Sequence, residues 1–319
     1  MQRRHFIGKA SVAALGAGLV PSESAAAFMA KRAAGKSFAI WQLPSQIDTI
    51  GNSYVLITPH GKLLVMDGGV KEEAPFLRGV IAALGNEVEA WFVSHPHDDH
   101  MGALTEIIRS PAWFRHRAHP DAARSVRGNT GMLIKKVYHS EFSAAYRLTE
   151  PGSAQKADAY YDALGASGIP VENLTSPGVS FEIDGVNIKI LSVTNETFKT
   201  NTYNNASMVI RVWDRSRSAV FLGDLGIEGG DLLLHGPFRN DLNCDYLQMA
   251  HHGQNGVSKE FYRTVKFSAC LWPSPSWVFH NDDGKGYNTG RYQTVEIREL
   301  MDELNIAKHY VSCEGLHKI

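Results

Sequence analysis

The feature that most restricts this chain is the run His95-Pro96-His97-Asp98-Asp99-His100, in which His95, His97, Asp99 and His100 are four good metal ligands within six residues. It follows directly on the apolar run Ala90-Trp91-Phe92-Val93-Ser94. A short apolar run entered and left through polar residues reads as a buried strand. Residues two apart on an extended segment point the same way, so His95 and His97 can grip one ion together. Asp99 and His100 follow where the chain turns into a helix, and they can face a second ion beside the first. Asp98 either caps that helix or relays a proton. A lone histidine is usually structural, but imidazoles and carboxylates packed this densely are metal ligands. The fold must therefore deliver strand ends to one place.

Two further strand ends carry ligand-type residues. Phe221-Leu222-Gly223-Asp224 sets an aspartate after an apolar strand, and Ala250-His251-His252-Gly253 sets two histidines after another. One shared metal centre explains all three ends. Asp67 closes a further apolar run, Leu63–Met66, before Gly68-Gly69. On its own it reads as a strand-end turn residue.

Periodicity supplies the surroundings. Ser37–Leu43, Ser53–Thr58, Lys62–Met66 and Val88–Val93 read as strands, with Pro75–Leu84 and Met101–Arg109 as helices. Val179–Ile183 with Val186–Val193, and Ser207–Trp213 with Ala219–Leu222, read as hairpins. Tyr246–Ala250, Phe267–Trp272 and His309–Ser312 are strands, and Ser258–Val265 and Thr294–Leu304 are helices. Between these halves, residues 110–176 are polar, with helices near Ser140–Leu148 and Ala154–Ser167, and read as a lid or an insertion. Strands, then helices, then mixed units in two halves predict an α+β class, with two sheets face to face and helices outside. Nothing in the composition, 44% hydrophobic and 20% charged, divides the interior, so 37–319 is expected to be a single domain. The three cysteines, Cys244, Cys270 and Cys313, have no zinc-ribbon spacing and read as buried inert thiols, with one disulfide as the alternative.

Residues 1–27 read as an address. Arg3 and Arg4 precede the uncharged stretch Ala10–Val20 and the small-residue run Ala25-Ala26-Ala27, the layout of a signal peptide. Paired arginines with Phe6 and Lys9 resemble the twin-arginine type. The expectation is an exported protein, periplasmic or secreted, with residues 28–36 as a linker. Arg3, Arg4, Lys9 and Glu23 depart with the leader, leaving the remainder two charges more negative than the −1 of the whole chain. That balance argues against a nucleic-acid partner. No other stretch is long and apolar enough to cross a membrane, which takes about 20 residues.

His-Pro-His-Asp-Asp-His resembles the HxHxDH signature of the metallo-β-lactamase superfamily. LLVMDGG (63–69), VSHPHDDHMGAL (93–104), NNASMVIRV (204–212), FLGD (221–224) and HHGQNGVSKEF (251–261) resemble its ComEC-type branch and bacterial phosphorylcholine esterases. The resemblance implies a four-layer αββα sandwich with two divalent ions, zinc or manganese, between the sheets. It implies His95 and His97 on the first ion, Asp99 and His100 on the second, and Asp224 bridging both. His251 would complete the ligand set of the second ion, with His252 the alternative or a substrate contact. Asp99, Asp224 and His252 would take part in the chemistry, while Asp67, Asn204, Asn205 and Ser207 stand one layer outside. The chain departs from the wider superfamily where Asn204-Asn205-Ala206-Ser207 takes the place of a third histidine, leaving the first ion fewer ligands. It departs again where Gly284-Lys285-Gly286-Tyr287-Asn288 replaces a Gly-His-Pro turn.

Such a centre implies a hydrolase, expected to act on a phosphoester in a small or envelope-derived molecule. Arg109, Arg115, Arg117, Arg124, Arg127, Lys135 and Lys136 form a basic segment that would attract phosphate, Arg127 and Lys135 especially. Trp272, Trp277, Phe279, Tyr287 and Tyr292 would suit a quaternary ammonium. A lactam or lactone hydrolase and a non-catalytic metal-binding envelope protein are the alternatives.

Overall fold

The computed structural model describes residues 37–110 and 132–319. The expected leader (1–27), the linker (28–36), and Arg115, Arg117, Arg124 and Arg127 lie outside the described residues.

The first sheet opens with an antiparallel meander of β1 (Ala39–Gln42), β2 (Ser53–Ile57) and β3 (Leu63–Asp67). Helix α1 (Ala74–Ala83) crosses to β4 (Glu87–Phe92), parallel to β3, and α2 (Asp98–Arg109) follows the histidine motif. β5 (Leu133–Ile134) and β6 (Val137–His139) run parallel beside β4. After α3 (Ala144–Arg147) and α4 (Pro151–Ser167), β7 (Val171–Asn173) extends that edge.

The second sheet repeats the scheme. β8 (Ser180–Ile183), β9 (Val186–Ser192), β10 (Val209–Trp213) and β11 (Ser218–Phe221) are antiparallel. β12 (Tyr246–Gln248), β13 (Ala269–Trp272) and β14 (Lys308–Val311) continue in parallel. The connections hold α5 (Thr202–Asn205), α6 (Ile227–Leu234), α7 (Lys259–Thr264), α8 (Ser276–Phe279) and α9 (Thr294–Glu303). The last strand, β15 (His317–Lys318), returns to pair with β1.

Alternation along the strands sorts side chains into layers. In β3, Leu63 and Val65 join the cluster beneath α1 and α2, while Leu64 and Met66 join the cluster between the sheets. In β13, Cys270 and Trp272 face the outer helices and Leu271 faces inward. Strands buried on both faces lose polar alternation, which is why LLVMD is buried at every position. The result is the expected αββα sandwich.

Two expectations are corrected here. The described part of 110–176 is no lid: β5, β6 and β7 widen the first sheet, and Tyr160, Ala163 and Leu164 of α4 pack into the core beside α2. Its helix starts at Pro151 rather than Ala154, since proline suits the first turn, and Gly168 ends it at φ 66°. Helix α6 went unread because Gly229 and Gly230 lower helix propensity. Both are packing residues: a Cβ at Gly229 would stand 2.7 Å from Asn205 O, and one at Gly230 2.7 Å from Val257 Cγ1. Cys244, Cys270 and Cys313 are all free thiols, the first two buried. Among the described residues no helix is long and apolar enough to cross a membrane.

Candidate metal centre

The ends of β3, β4, β11 and β12 converge at one rim of the sandwich. Asp99, His100, Asp224 and His252 each bring a ligand atom there, all within 4.8 Å of one another, and so do His95, His97 and Asp224. Asp224 belongs to both groups. In the group of the first ion, His95 Nε2 and His97 Nδ1 are 3.0 Å apart. A tetrahedral ion with bonds of ~2.1 Å holds two nitrogens about 3.4 Å apart, so a small adjustment seats one. In the second, His252 Nε2 lies 2.9 Å from Asp99 Oδ2 and 3.3 Å from Asp224 Oδ2. His100 Nε2 and Asp224 Oδ1 are sealed from water 3.1 Å apart without a well-directed hydrogen bond. Imidazoles and carboxylates with such inward-facing atoms fit a pair of divalent ions.

Each imidazole is held through its other nitrogen, which fixes ring plane and tautomer. His100 Nδ1 meets Asp67 Oδ2 at 2.8 Å. Asp67 also accepts from Asn52 Nδ2 (2.6 Å), Ser94 N (2.7 Å) and Ser94 Oγ (2.9 Å), so it ties β2, β3 and the motif loop together. His95 Nδ1 faces Ser94 Oγ at 3.1 Å and Ser207 Oγ at 3.3 Å. His252 Nδ1 meets Pro273 O at 2.9 Å. His97 Nε2 meets Glu150 Oε2 at 2.8 Å.

Backbone conformation decides between the paired histidines. His251 (φ 52°), His252 (φ 55°) and Gly253 (φ 78°) are successive left-handed residues. Each non-glycine member costs about 1–3 kcal/mol, strain typical of functional sites. This turn sends His252 into the second group and His251 to its open side, so the expectation that His251 completes that group is corrected to His252. His251 Nε2 stands 3.7 Å from Asp224 Oδ2 and 3.4 Å from Asn204 Nδ2.

The remaining expected residues separate. Ser207 reaches the centre, and its Oγ also accepts from Asp224 N at 3.2 Å. Asn204 borders it through His251, and its Oδ1 is buried without a hydrogen-bond partner. Asn205 is further out: its Oδ1 accepts from Gly229 N at 3.0 Å and so seats α6. Trp272 is corrected from substrate contact to core: it is 0% exposed beneath the outer helices, and its Nε1 donates to His309 Nδ1 at 3.0 Å. It still serves the centre, because Gly253 lies on its ring and a Cβ there would meet Trp272 Cζ3 at 2.6 Å. Lys135 is corrected too. Its Nζ pairs with Glu87 (2.5 Å) and Glu89 (2.8 Å) at the start of β4. The ligands leave the other end of that strand, about 20 Å away. Trp277 is half-buried, its Nε1 donating to Asp48 O at 3.0 Å and its ring beside Tyr292, while Trp272 packs against Phe279 and His309. Asp98 does not cap α2; His97 is the N-cap residue, and Asp98 pairs with Lys156 at 2.5 Å. Glu150 escaped sequence reasoning altogether: it lies 53 positions from His97 and in no motif.

Without metal the centre must neutralise its own acids. Burial opposes charge on Asp224, yet His100, His252 and His251 hold its carboxyl well below the usual range. Burial likewise opposes charge on His252, yet Asp224 and Asp99 lift it to about 10. A histidine raised in the folded state stabilises it fully below its unfolded value of about 6.5, and that contribution is lost as pH rises through the folded value. Metal-free protein should therefore lose thermal stability from about pH 7 to about pH 10, while metal-loaded protein, with neutral imidazole ligands, should not. Melting curves with and without chelator check this, and parallel pH slopes would contradict it.

Comparison with known proteins gives this geometry a family. The chain resembles the metallo-beta-lactamase fold protein YhfI from Bacillus subtilis at 12% identity, covering 88% of this chain and 99% of that one, with a TM-score of 0.51. It resembles CmlA, a diiron beta-hydroxylase from Streptomyces venezuelae, at 12% identity and a TM-score of 0.51, covering 89% of this chain. It spans about half of CmlA, 54% of its length. At these identities the likeness is one of fold. No curated protein matches the sequence. A model of the metallo-beta-lactamase superfamily matches residues 47–266, more than half of the chain, and with the two ligand groups sharing Asp224 this places the chain in the metallo-β-lactamase superfamily.

Proposed function

We propose that this protein is an exported metal-dependent hydrolase acting on a phosphoester of a small or envelope-derived molecule. The observation that carries the reading is Asp224 shared between two adjoining ligand groups. Two divalent ions bound there, zinc or manganese, would supply Lewis acidity and would lower the pKa of water to about 7. His95, His97 and Asp224 would hold one, and Asp99, His100, His252 and Asp224 would hold the other. Asp67, Ser94 and Ser207 keep the rings aligned, so little reorganisation accompanies reaction. His251 is the one histidine of the turn left outside both groups, and it is partly open to solvent. It is placed to hydrogen-bond the substrate and to return a proton to the leaving oxygen. Support for phosphoesters comes from the demand of phosphoryl transfer for charge at both attacking and leaving oxygens, and from the sequence resemblance to the phosphorylcholine-esterase branch. Support for export comes from the paired arginines and apolar stretch of residues 1–27.

One observation favours a second reading, hydrolysis of a cyclic amide or ester: Lys135 spends its charge on Glu87 and Glu89, away from the centre. Turnover of bis(p-nitrophenyl) phosphate, p-nitrophenyl phosphate, p-nitrophenyl phosphorylcholine and nitrocefin separates the two. Phosphoester turnover is expected, and nitrocefin turnover alone would select the second reading. His251→Gln should keep its metals and lose about 10²–10⁴ in kcat, the range for a positioned proton donor. His252→Gln should lose metal as well, and metal loss from His251→Gln instead would reverse the two roles.

A further inference from the structure

The first ligand group has three side chains where the second has four, among the described residues. Its weakest point is His97. This residue sits at the N-cap of α2, where the chain leaves the sheet, and its side chain makes no bond to that helix. What holds the ring comes from elsewhere. Glu150 Oε2 lies 2.8 Å from His97 Nε2. Glu150 Oε1 accepts from Tyr203 N at 3.0 Å and from Thr202 Oγ1 at 3.1 Å. The Tyr203 ring stacks on His97, with centroids 5.0 Å apart and planes at 21°. Tyr203 is itself fixed: its hydroxyl donates to Arg147 O at 2.7 Å, and its ring is buried with Phe142, Tyr146, Ala157 and Ala206.

Glu150 occupies the N-cap of α4, where an acidic side chain ordinarily accepts from its own helix. It makes no such bond. Both oxygens instead reach across to His97 and to Thr202 and Tyr203 at the start of α5.

We propose that Glu150 is the positioning residue for His97: it engages Nε2, leaves Nδ1 turned to the ion, and locks the ring against Tyr203, so that a group of three side chains binds metal. The proposal rests on the two-ion reading above. Outer partners of ligating histidines are worth about 10–100-fold in metal affinity.

The test titrates zinc into stripped wild type, Glu150→Gln and Glu150→Ala against a colorimetric chelator, and follows cobalt(II) absorption at each step. Glu150→Ala should bind one of two ions about 10–100-fold more weakly, with the cobalt band of that step altered and the other step unchanged. Glu150→Gln keeps the shape and one acceptor, so it should fall between wild type and alanine, and it tests the proposal even if the alanine protein fails to fold. Equal weakening of both steps, or wild-type binding of both ions by the variants, overturns the proposal. Wild type that binds no metal overturns the two-ion reading, and this proposal with it.

Discussion

Asp224→Asn is expected to lower bound metal from about two ions per chain to one or fewer, and to reduce turnover by more than ~10³-fold, beyond the 10–100-fold of an outer-shell change. Asp224 is the one side chain in both ligand groups, and it is 2% exposed. Its Oδ1 faces His100 Nε2 at 3.1 Å, while its Oδ2 faces His252 Nε2 at 3.3 Å and His251 Nε2 at 3.7 Å. An amide fills the same volume but replaces one oxygen with a donor, so one side of the bridge faces a nitrogen that cannot ligate. Metal analysis and steady-state kinetics on the best phosphoester measure both effects. A loss confined to 10–100-fold with both metals retained would reduce Asp224 to an orienting residue.

Trp272→Ala carries the largest expected effect on stability, about 3–5 kcal/mol. The indole is fully buried, packs edge-on to Phe279 with centroids 5.6 Å apart, and stacks on His309 at 5.9 Å. Its removal leaves a large cavity, and it also takes the floor from beneath Gly253. The strained turn holding His252 should then relax, and metal affinity at the second group should fall with stability. Urea unfolding with and without metal measures both. A change below about 1 kcal/mol together with a raised KM would return Trp272 to the substrate contact its place in the sequence suggested.

What could be read in advance was what the chain keeps local. His95, His97, Asp99 and His100 are neighbours in sequence, so the two-residue period of a strand and the turn into α2 suffice to bring them together. The sandwich was legible because LLVMD, buried at every position, reads as a strand covered on both faces. What could not be read depends on backbone sign or distant pairing. The choice between His251 and His252 follows from three successive positive φ angles, which no hydrophobic pattern encodes. Glu150 reaches His97 across 53 positions, and its N-cap place before Pro151 suggested only a helix start. Lys135 and Trp272 stand near basic and aromatic neighbours along the chain, and that proximity alone ties them to the site in the sequence. Strand direction carries Lys135 to the opposite rim, and strand alternation turns Trp272 to the outer helices.

The central claim is that two ions share Asp224, and the most direct measurement is the metal content of the purified protein after reconstitution and removal of loose ions. About two divalent ions per chain, falling to one or fewer in Asp224→Asn, is the predicted result. A wild-type protein that holds no metal, or an Asp224→Asn protein that holds both, would contradict it.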